Sequence, residues 1–168
     1  YTKKGILVNE NYQTNIPNIY AIGDVTGKMM LAHSATYSGY RVLNHILGKK
    51  DNINFNVVPS CVFTFPEVAS IGLTKEDLEK EELEAKTIKV LYRSVGKAVA
   101  MNHEDGFLKL IIRENKIIGA HILGYDASTL IHELVPLMNE DISIERIKDY
   151  IHAHPTLSEI LSIALKEL

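Results

Sequence analysis

Leu108-Lys109-Leu110-Ile111-Ile112-Arg113-Glu114-Asn115-Lys116-Ile117-Ile118-Gly119-Ala120-His121-Ile122-Leu123 is the stretch that decides the fold. Leu108, Leu110 and Ile112 alternate, which is the period of two that lays one face of a strand on a core. Glu114-Asn115 supplies turn chemistry, and Ile117 to Leu123 returns as a second apolar run, so the pair reads as an antiparallel hairpin. Upstream, Ile88, Val90 and Tyr92 alternate in a third strand, and Cys61 to Phe65 is strand-like up to Pro66. Downstream the pattern turns helical. Asp126 stands at an N-cap position ahead of Leu130, Ile131, Leu134, Leu137 and Met138, with Pro136 expected to kink that helix or end it early. Ser143 is placed to cap a run containing Ile144, Ile147 and Ile151. Leu157, Ile160, Leu161, Ala164, Leu165 and Leu168 form an apolar stripe at helical spacing. Strands in one run and helices in the next imply an α+β fold, an antiparallel sheet with helices packed on it.

Working outward, Thr74-Lys75-Glu76-Asp77 has capping-box spacing and opens a charged helix expected to reach about Ala85. Its Glu76–Lys80 and Glu82–Lys86 pairs lie four residues apart, as on a solvated face. The polar run Gly48-Lys49-Lys50-Asp51-Asn52 is a soft boundary, giving parts 1–50 and 51–168. In the first part, Gly5-Ile6-Leu7-Val8 and Ile19-Tyr20-Ala21-Ile22 read as short strands. His33 to Leu47 reads as a helix closed by Gly48. The 168 residues carry 18 basic and 21 acidic side chains, a net charge of −3, and this balance gives no nucleic-acid footprint. No apolar run approaches the roughly 20 residues of a membrane span. Tyr1-Thr2-Lys3-Lys4 does not open a signal peptide, so a cytoplasmic location is expected. One cysteine, Cys61, excludes a disulfide scaffold and an internal dithiol pair.

Two stretches carry chemistry. In the first, the Ile19–Ile22 run ends in Gly23-Asp24, and a loop leads to a helix starting near Met30-Leu31-Ala32-His33. Ligands of open α/β sheets gather beyond the carboxyl ends of strands. Gly23 permits close approach to the backbone, Asp24 can accept from sugar-like hydroxyls, and free N–H groups at a helix start suit an anion or an electron-rich carbonyl. A plain strand-ending turn explains the same residues. The second stretch is His152-Ala153-His154-Pro155-Thr156-Leu157-Ser158-Glu159. Pro155 fits a first helical turn, and Thr156 and Glu159 have capping-box spacing, which gives Glu159 a structural task. Alternatively Glu159 orients His154 and raises its basicity, making His154 a general acid/base. A third reading takes His152 and His154 as metal ligands. The other histidines are scattered at positions 33, 45, 103, 121 and 132, and no metal is expected.

Thr14 together with Ala21-Ile22-Gly23-Asp24 resembles the second flavin-binding motif of the pyridine nucleotide–disulfide oxidoreductases. His152 to Glu159 resembles the active-site signature of the dihydrolipoamide dehydrogenase branch of that family. Val58-Pro59-Ser60, Thr64-Phe65-Pro66-Glu67-Val68-Ala69 and Gly119-Ala120-His121-Ile122-Leu123-Gly124 resemble its dimerisation domain. The resemblance covers essentially the whole chain. It implies the tail of an FAD-binding domain over residues 1–50 and a dimerisation domain over 51–168. It also implies that Asp24 holds the ribityl chain of FAD, and that Met30, Leu31, Ala32 and His33 line the flavin edge. On the same resemblance, His154 deprotonates a substrate dithiol and later protonates the leaving sulfur, Glu159 holds its ring, and the pair completes the site of the other subunit of a homodimer. In such enzymes a redox disulfide, FAD and NAD pass two electrons between dihydrolipoamide and nicotinamide. The dithiol rides on the lipoyl domain of a 2-oxo acid dehydrogenase or glycine cleavage complex.

Glutathione-type relatives share the His-Pro-Thr core but diverge around it, which favours lipoamide over glutathione-type or coenzyme A-type substrates. A non-catalytic dimerisation module is a further alternative. Relatives carry cis peptides before the prolines matching Pro66 and Pro155, and usually have His where this chain has Phe65. The chain contains no G-x-G-x-x-G and no cysteine pair, and it opens on Tyr1. It is therefore expected to be a piece of a longer protein that alone binds no cofactor firmly and is inactive. Cys61 is expected to serve as a small buried hydrophobe. Residues 1–50 are expected to be partly disordered or non-natively packed, with an exposed strand edge.

Overall fold

The hairpin is the middle of a five-stranded sheet. In the computed structural model, which describes residues 1–168, β4 (Phe107–Arg113) and β5 (Lys116–Gly124) pair antiparallel with Leu110 opposite Ala120 and Leu108 opposite Ile122. Glu114 and Asn115 between them adopt φ of 49° and 65°, the left-handed pair that a two-residue hairpin turn needs. On one side β3 (Lys86–Leu91) pairs with β4. On the other, β2 (Glu67–Gly72) pairs with β5, and β1 (Ser60–Val62) pairs with β2. All pairings are antiparallel, in the order β1-β2-β5-β4-β3.

Two helices cover one face. α4 (Ala127–Asn139) packs on β2 and β5, and α6 (Glu159–Lys166) packs on β3 and β4. Between them lie Ala69, Ile71, Ile88, Val90, Leu108, Leu110, Ala120 and Ile122 from the strands, with Leu130, Ile131, Leu134, Ile160, Leu161, Ala164 and Leu165 from the helices. These are the alternating strand positions and the helical stripe read from the sequence, and their removal from water drives the fold. The shorter helices are α2 (Lys75–Lys80), α3 (Gly96–Ala100) and α5 (Ile144–Lys148). The α+β reading holds.

Several local readings need correction. β2 was not expected, because Val68, Ala69, Ser70 and Gly72 make a weak strand signal; hydrogen bonding to neighbours on both sides supplies what propensity lacks. α2 keeps its capping box, with Thr74 Oγ1 accepting from Asp77 N and Asp77 Oδ2 accepting from Thr74 N. It stops at Lys80, short of Ala85, and its ion pairs are Lys75–Glu79 and Lys80–Asp77, both solvent-exposed. α4 runs through Pro136 to Asn139. Asp126 precedes it but sits in the left-handed region and makes no capping bond; Ser128 N donates instead to Glu67 Oε2 on β2, at 2.8 Å. Ser143 does cap α5, which ends at Lys148 and leaves Ile151 98% exposed.

The chain divides into two units, Tyr1–Phe55 and Asn56–Leu168. Residues 51–55 fall in the first because Arg41 holds them. Its Nε donates to Asp51 Oδ1 at 2.8 Å and its Nη2 to Ile53 O at 2.6 Å, while the Phe55 ring meets Tyr12 edge-on. This unit is built on α1 (Ala32–Ile46), closed by Gly48 in the left-handed region. Gly5–Val8 and Ile19–Ile22 are not strands; only isolated bridges, Thr2 with Gly5 and Gln13 with Tyr20, form there. Neither segment has a neighbouring strand within the unit on which to extend a ladder.

Candidate active site

α5 and α6 are joined by an irregular loop, Asp149 to Ser158. Near its end, Glu159 in the first turn of α6 uses both carboxylate oxygens. Oε1 meets His154 Nδ1 at 2.9 Å, and Oε2 accepts from Thr156 N at 2.9 Å. Thr156 Oγ1 donates to Ala153 O at 2.7 Å. The capping task and the histidine-orienting task, alternatives in the sequence, are thus carried out together by one side chain. The Thr156 N–H first, and then His154, hold the Glu159 carboxyl below the usual carboxylate range. A carboxylate at Nδ1 favours the tautomer with its proton there and leaves the opposite nitrogen, Nε2, as the basic atom. The His154 side chain is 77% exposed and Glu159 only 24%, so the carboxylate is sheltered while the imidazole ring faces outward. Pro155 lies ahead of the helix rather than in its first turn, and the peptides before Pro66 and Pro155 are both cis.

His152 points the other way. Its side chain is 10% exposed. Nε2 lies 2.6 Å from Glu133 Oε1 on α4, and Nδ1 lies 2.7 Å from Ser162 Oγ on α6. One neutral tautomer satisfies both contacts, with Nε2–H donating to Glu133 and Nδ1 accepting from the Ser162 hydroxyl. With both ring nitrogens engaged, His152 has no lone pair to offer a metal. No group of three or more His, Cys, Asp or Glu side chains is placed to hold one. Glu133 and Ser162 were not singled out in the sequence, and no local spacing links them to His152.

The other predicted residues lie in the first unit. Asp24 sits in a 3₁₀ turn, Gly23–Thr26, with its side chain exposed. A Cβ on Gly23 would come within 3.2 Å of the Ala35 Cβ, so the turn lies close against α1. Met30 is exposed and Leu31 half-buried; Ala32 and His33 open α1, whose N-cap position, Leu31, offers no side-chain bond to the first N–H groups. Cys61 is half-buried against the core, and burial, then the Glu67 charge, push its thiol up. Phe65 is exposed and meets the His103 ring edge-on, and His103 stacks on Tyr125. No helix is long and apolar enough to cross a membrane.

Residues 58–165 match the family described as "Pyridine nucleotide-disulphide oxidoreductase, dimerisation domain", and residues 1–39 match "Pyridine nucleotide-disulphide oxidoreductase". Among similar proteins, a dihydrolipoyl dehydrogenase of Chlamydia muridarum is 43% identical over 161 residues, covering 94% of this chain and 35% of the relative. Mitochondrial dihydrolipoyl dehydrogenase 2 of Arabidopsis thaliana is 41% identical over 167 residues, covering 97% of this chain and 33% of the relative. The chain therefore spans about a third of the length of the curated relatives it matches. Of solved structures, LpdA from Mycobacterium tuberculosis superposes with a TM-score of 0.89 at 27% identity, over 97% of this chain and 36% of that one. The HOCl-induced flavoprotein disulfide reductase RclA from Escherichia coli superposes with 0.87 at 25%, over 99% and 39%. The sheet, its covering helices and these matches together place the chain in the pyridine nucleotide-disulphide oxidoreductase family, with the dimerisation domain of that family over residues 58–165.

Proposed function

We propose that this chain is the dimerisation part of a dihydrolipoyl dehydrogenase, with the tail of an FAD-binding domain over residues 1–50. In this reading it supplies a His154–Glu159 acid/base pair to the active site of a partner copy. The observation that carries the reading is the 2.9 Å bond from His154 Nδ1 to a sheltered Glu159, with the ring largely exposed. A thiol with an ordinary pKa of about 8.5 is mostly protonated at neutral pH, and only the thiolate attacks a disulfide. His154 Nε2 takes the proton from one dihydrolipoamide thiol. The thiolate attacks the enzyme's redox disulfide, releasing one of its sulfurs and forming a mixed disulfide. That released sulfur takes the proton from His154, which then accepts the proton of the second substrate thiol. The second thiolate attacks the substrate sulfur of the mixed disulfide and closes lipoamide, and His154 gives this proton to the departing enzyme sulfur. Glu159 stays ionised and stabilises the imidazolium each time it forms.

The residues of the first unit fit a flavin. Asp24 presents an exposed carboxylate for the ribityl hydroxyls, and the first turn of α1, with no side-chain cap, presents N–H donors near Met30, Leu31, Ala32 and His33. Bound FAD, with NAD as final acceptor, supplies the two-electron carrier chemistry of the complete enzyme. This chain alone is expected to be inactive and to hold FAD only weakly. Its partners are a second copy of itself and the lipoyl domain of a 2-oxo acid dehydrogenase or glycine cleavage complex, in the cytoplasm. The superposition on RclA supports a second reading, a flavin disulfide reductase acting on another disulfide.

The test is His154→Gln in the complete dehydrogenase containing this chain. General acid–base catalysis is worth about 10²–10⁴-fold, so the dithiol half-reaction slows by that order while flavin absorbance is retained. Glu159→Gln slows the same step less. Full turnover in both variants would leave Glu159 with its capping task alone.

A further inference from the structure

From Ile151 to Pro155 no main-chain group bonds another main-chain group; the last such bond before the segment is Tyr150 N to Ile147 O, and the next after it is Ile160 N to Leu157 O. The stretch that carries His154 is therefore fixed by side chains. On its far side Glu159 ties His154 and Thr156. On its near side the tie is His152, buried between α4 and α6 by Glu133 and Ser162 at 2.6 and 2.7 Å. Its neighbour Ile151 is exposed and anchors nothing, and Ala153, also exposed, contributes only its carbonyl, which accepts from Thr156 Oγ1 on the far side. A short irregular segment clamped at both ends has few conformations left to lose, and a reactive ring between the clamps is held in one direction.

We propose that the Ser162–His152–Glu133 chain is the positioning device for His154, fixing the loop so that its ring meets Glu159 through Nδ1 and turns Nε2 outward. The proposal rests on the acid/base reading of His154 for its purpose, but its geometry can be tested without turnover. Because α4 and α6 both contribute, a change in how these helices pack is transmitted to the ring two residues away. Neither Glu133 nor Ser162 needs to touch substrate for this.

The experiment is long-range ¹H–¹⁵N correlation of the histidine side chains in this 168-residue chain, which reads the tautomer of each ring directly. In the parent chain His154 is expected to be mainly in the Nδ1–H form, and Glu159→Gln to abolish that excess. Ser162→Ala and Glu133→Ala should each remove about half of it or more, with the backbone amide spectrum of the sheet unchanged. Glu133→Gln, whose amide oxygen still accepts from His152 Nε2–H, should restore it. Ser162→Ala removes a single hydroxyl from a helix, so it remains readable even if Glu133→Ala fails to fold. An unchanged His154 tautomer in Ser162→Ala and in folded Glu133→Ala would overturn the proposal. Full turnover of the His154→Gln dehydrogenase would instead overturn the acid/base reading and leave the tautomer result standing.

Discussion

His121 shows how one residue can set a pH limit on this fold. It lies on β5 with Nε2 3.1 Å from Leu73 O, facing Lys109 across the strand pair and Glu76 and Asp77 at the start of α2. Burial pushes its pKa below the ordinary value, and Lys109 adds to that, against the opposing Leu73 carbonyl and the two carboxylates. The folded state therefore resists a proton that the unfolded chain accepts at about pH 6.5. Its contribution to stability is fully present above that pH and falls as acidification proceeds toward the depressed folded value. Denaturant melts of His121→Gln between pH 7.5 and 5 should show a shallower loss than the parent; parallel curves would show that His121 is not the group responsible. Glu159 has the usual carboxylate sign: its lowered pKa stabilises the loop above the ordinary Glu range, and this is lost in stronger acid. Gly124 is a packing case. A Cβ there would lie 2.4 Å from Tyr92 Cζ, in the ring whose hydroxyl donates to Tyr125 O at 3.0 Å. Tyr92 is fully buried and cannot swing away. Gly124→Ala should cost about 1–3 kcal/mol in urea unfolding, as overpacking does.

At the scale of the element, α4 takes its N-terminal cap from Glu67, sixty-one positions earlier in the sequence. Glu67→Ala should lower stability by about 1 kcal/mol. Asp126→Asn, which tolerates the same left-handed backbone, should leave the unfolding midpoint unchanged. Leu161 at 2% exposure carries more: its truncation to Ala should cost about 2–5 kcal/mol and loosen α6, the element that carries Glu159. This element-level view explains what the sequence made legible. The β4–β5 hairpin, the capping box of α2, the Ser143 cap and the stripe of α6 are written in residues within a few positions of one another. β2 was not legible because its ladders come from β1 and β5. The Ile19–Ile22 run was over-read because apolar residues without a neighbouring strand make no sheet. At the site, the residues around His154 and Glu159 left the capping and acid/base readings both open, and only the resemblance singled out the pair that the fold brings together. Glu133 and Ser162 could not, since their link to His152 exists only after α4, α6 and the loop have packed.

For the whole molecule the two units differ in what holds them. Tyr12 and Ala21 are the buried apolar residues of the first, while the second has a continuous core from Ala69 to Leu165. The first unit meanwhile exposes Leu7, Ile16, Ile19, Val25, Met30, Leu43 and Ile46. With so little surface removed from water, it should open well below the free energy of global unfolding. Hydrogen exchange should find its amides, α1 included, exchanging faster than those of β4 and β5; equal protection in both units would contradict this. The strand order has a last consequence, for aggregation. An open sheet ends in two bare ladders, here the outer sides of β1 and β3. β1 is only three residues long, too short to template a neighbour. β3 is longer, but Lys86 and Lys89 stand exposed along it, and recruiting a like strand would bring ammonium groups together. The lysines of β3 are thus gatekeepers: Lys89 lies over the Phe107 ring of the neighbouring strand, and the two charges together keep one copy of the sheet from growing onto the next.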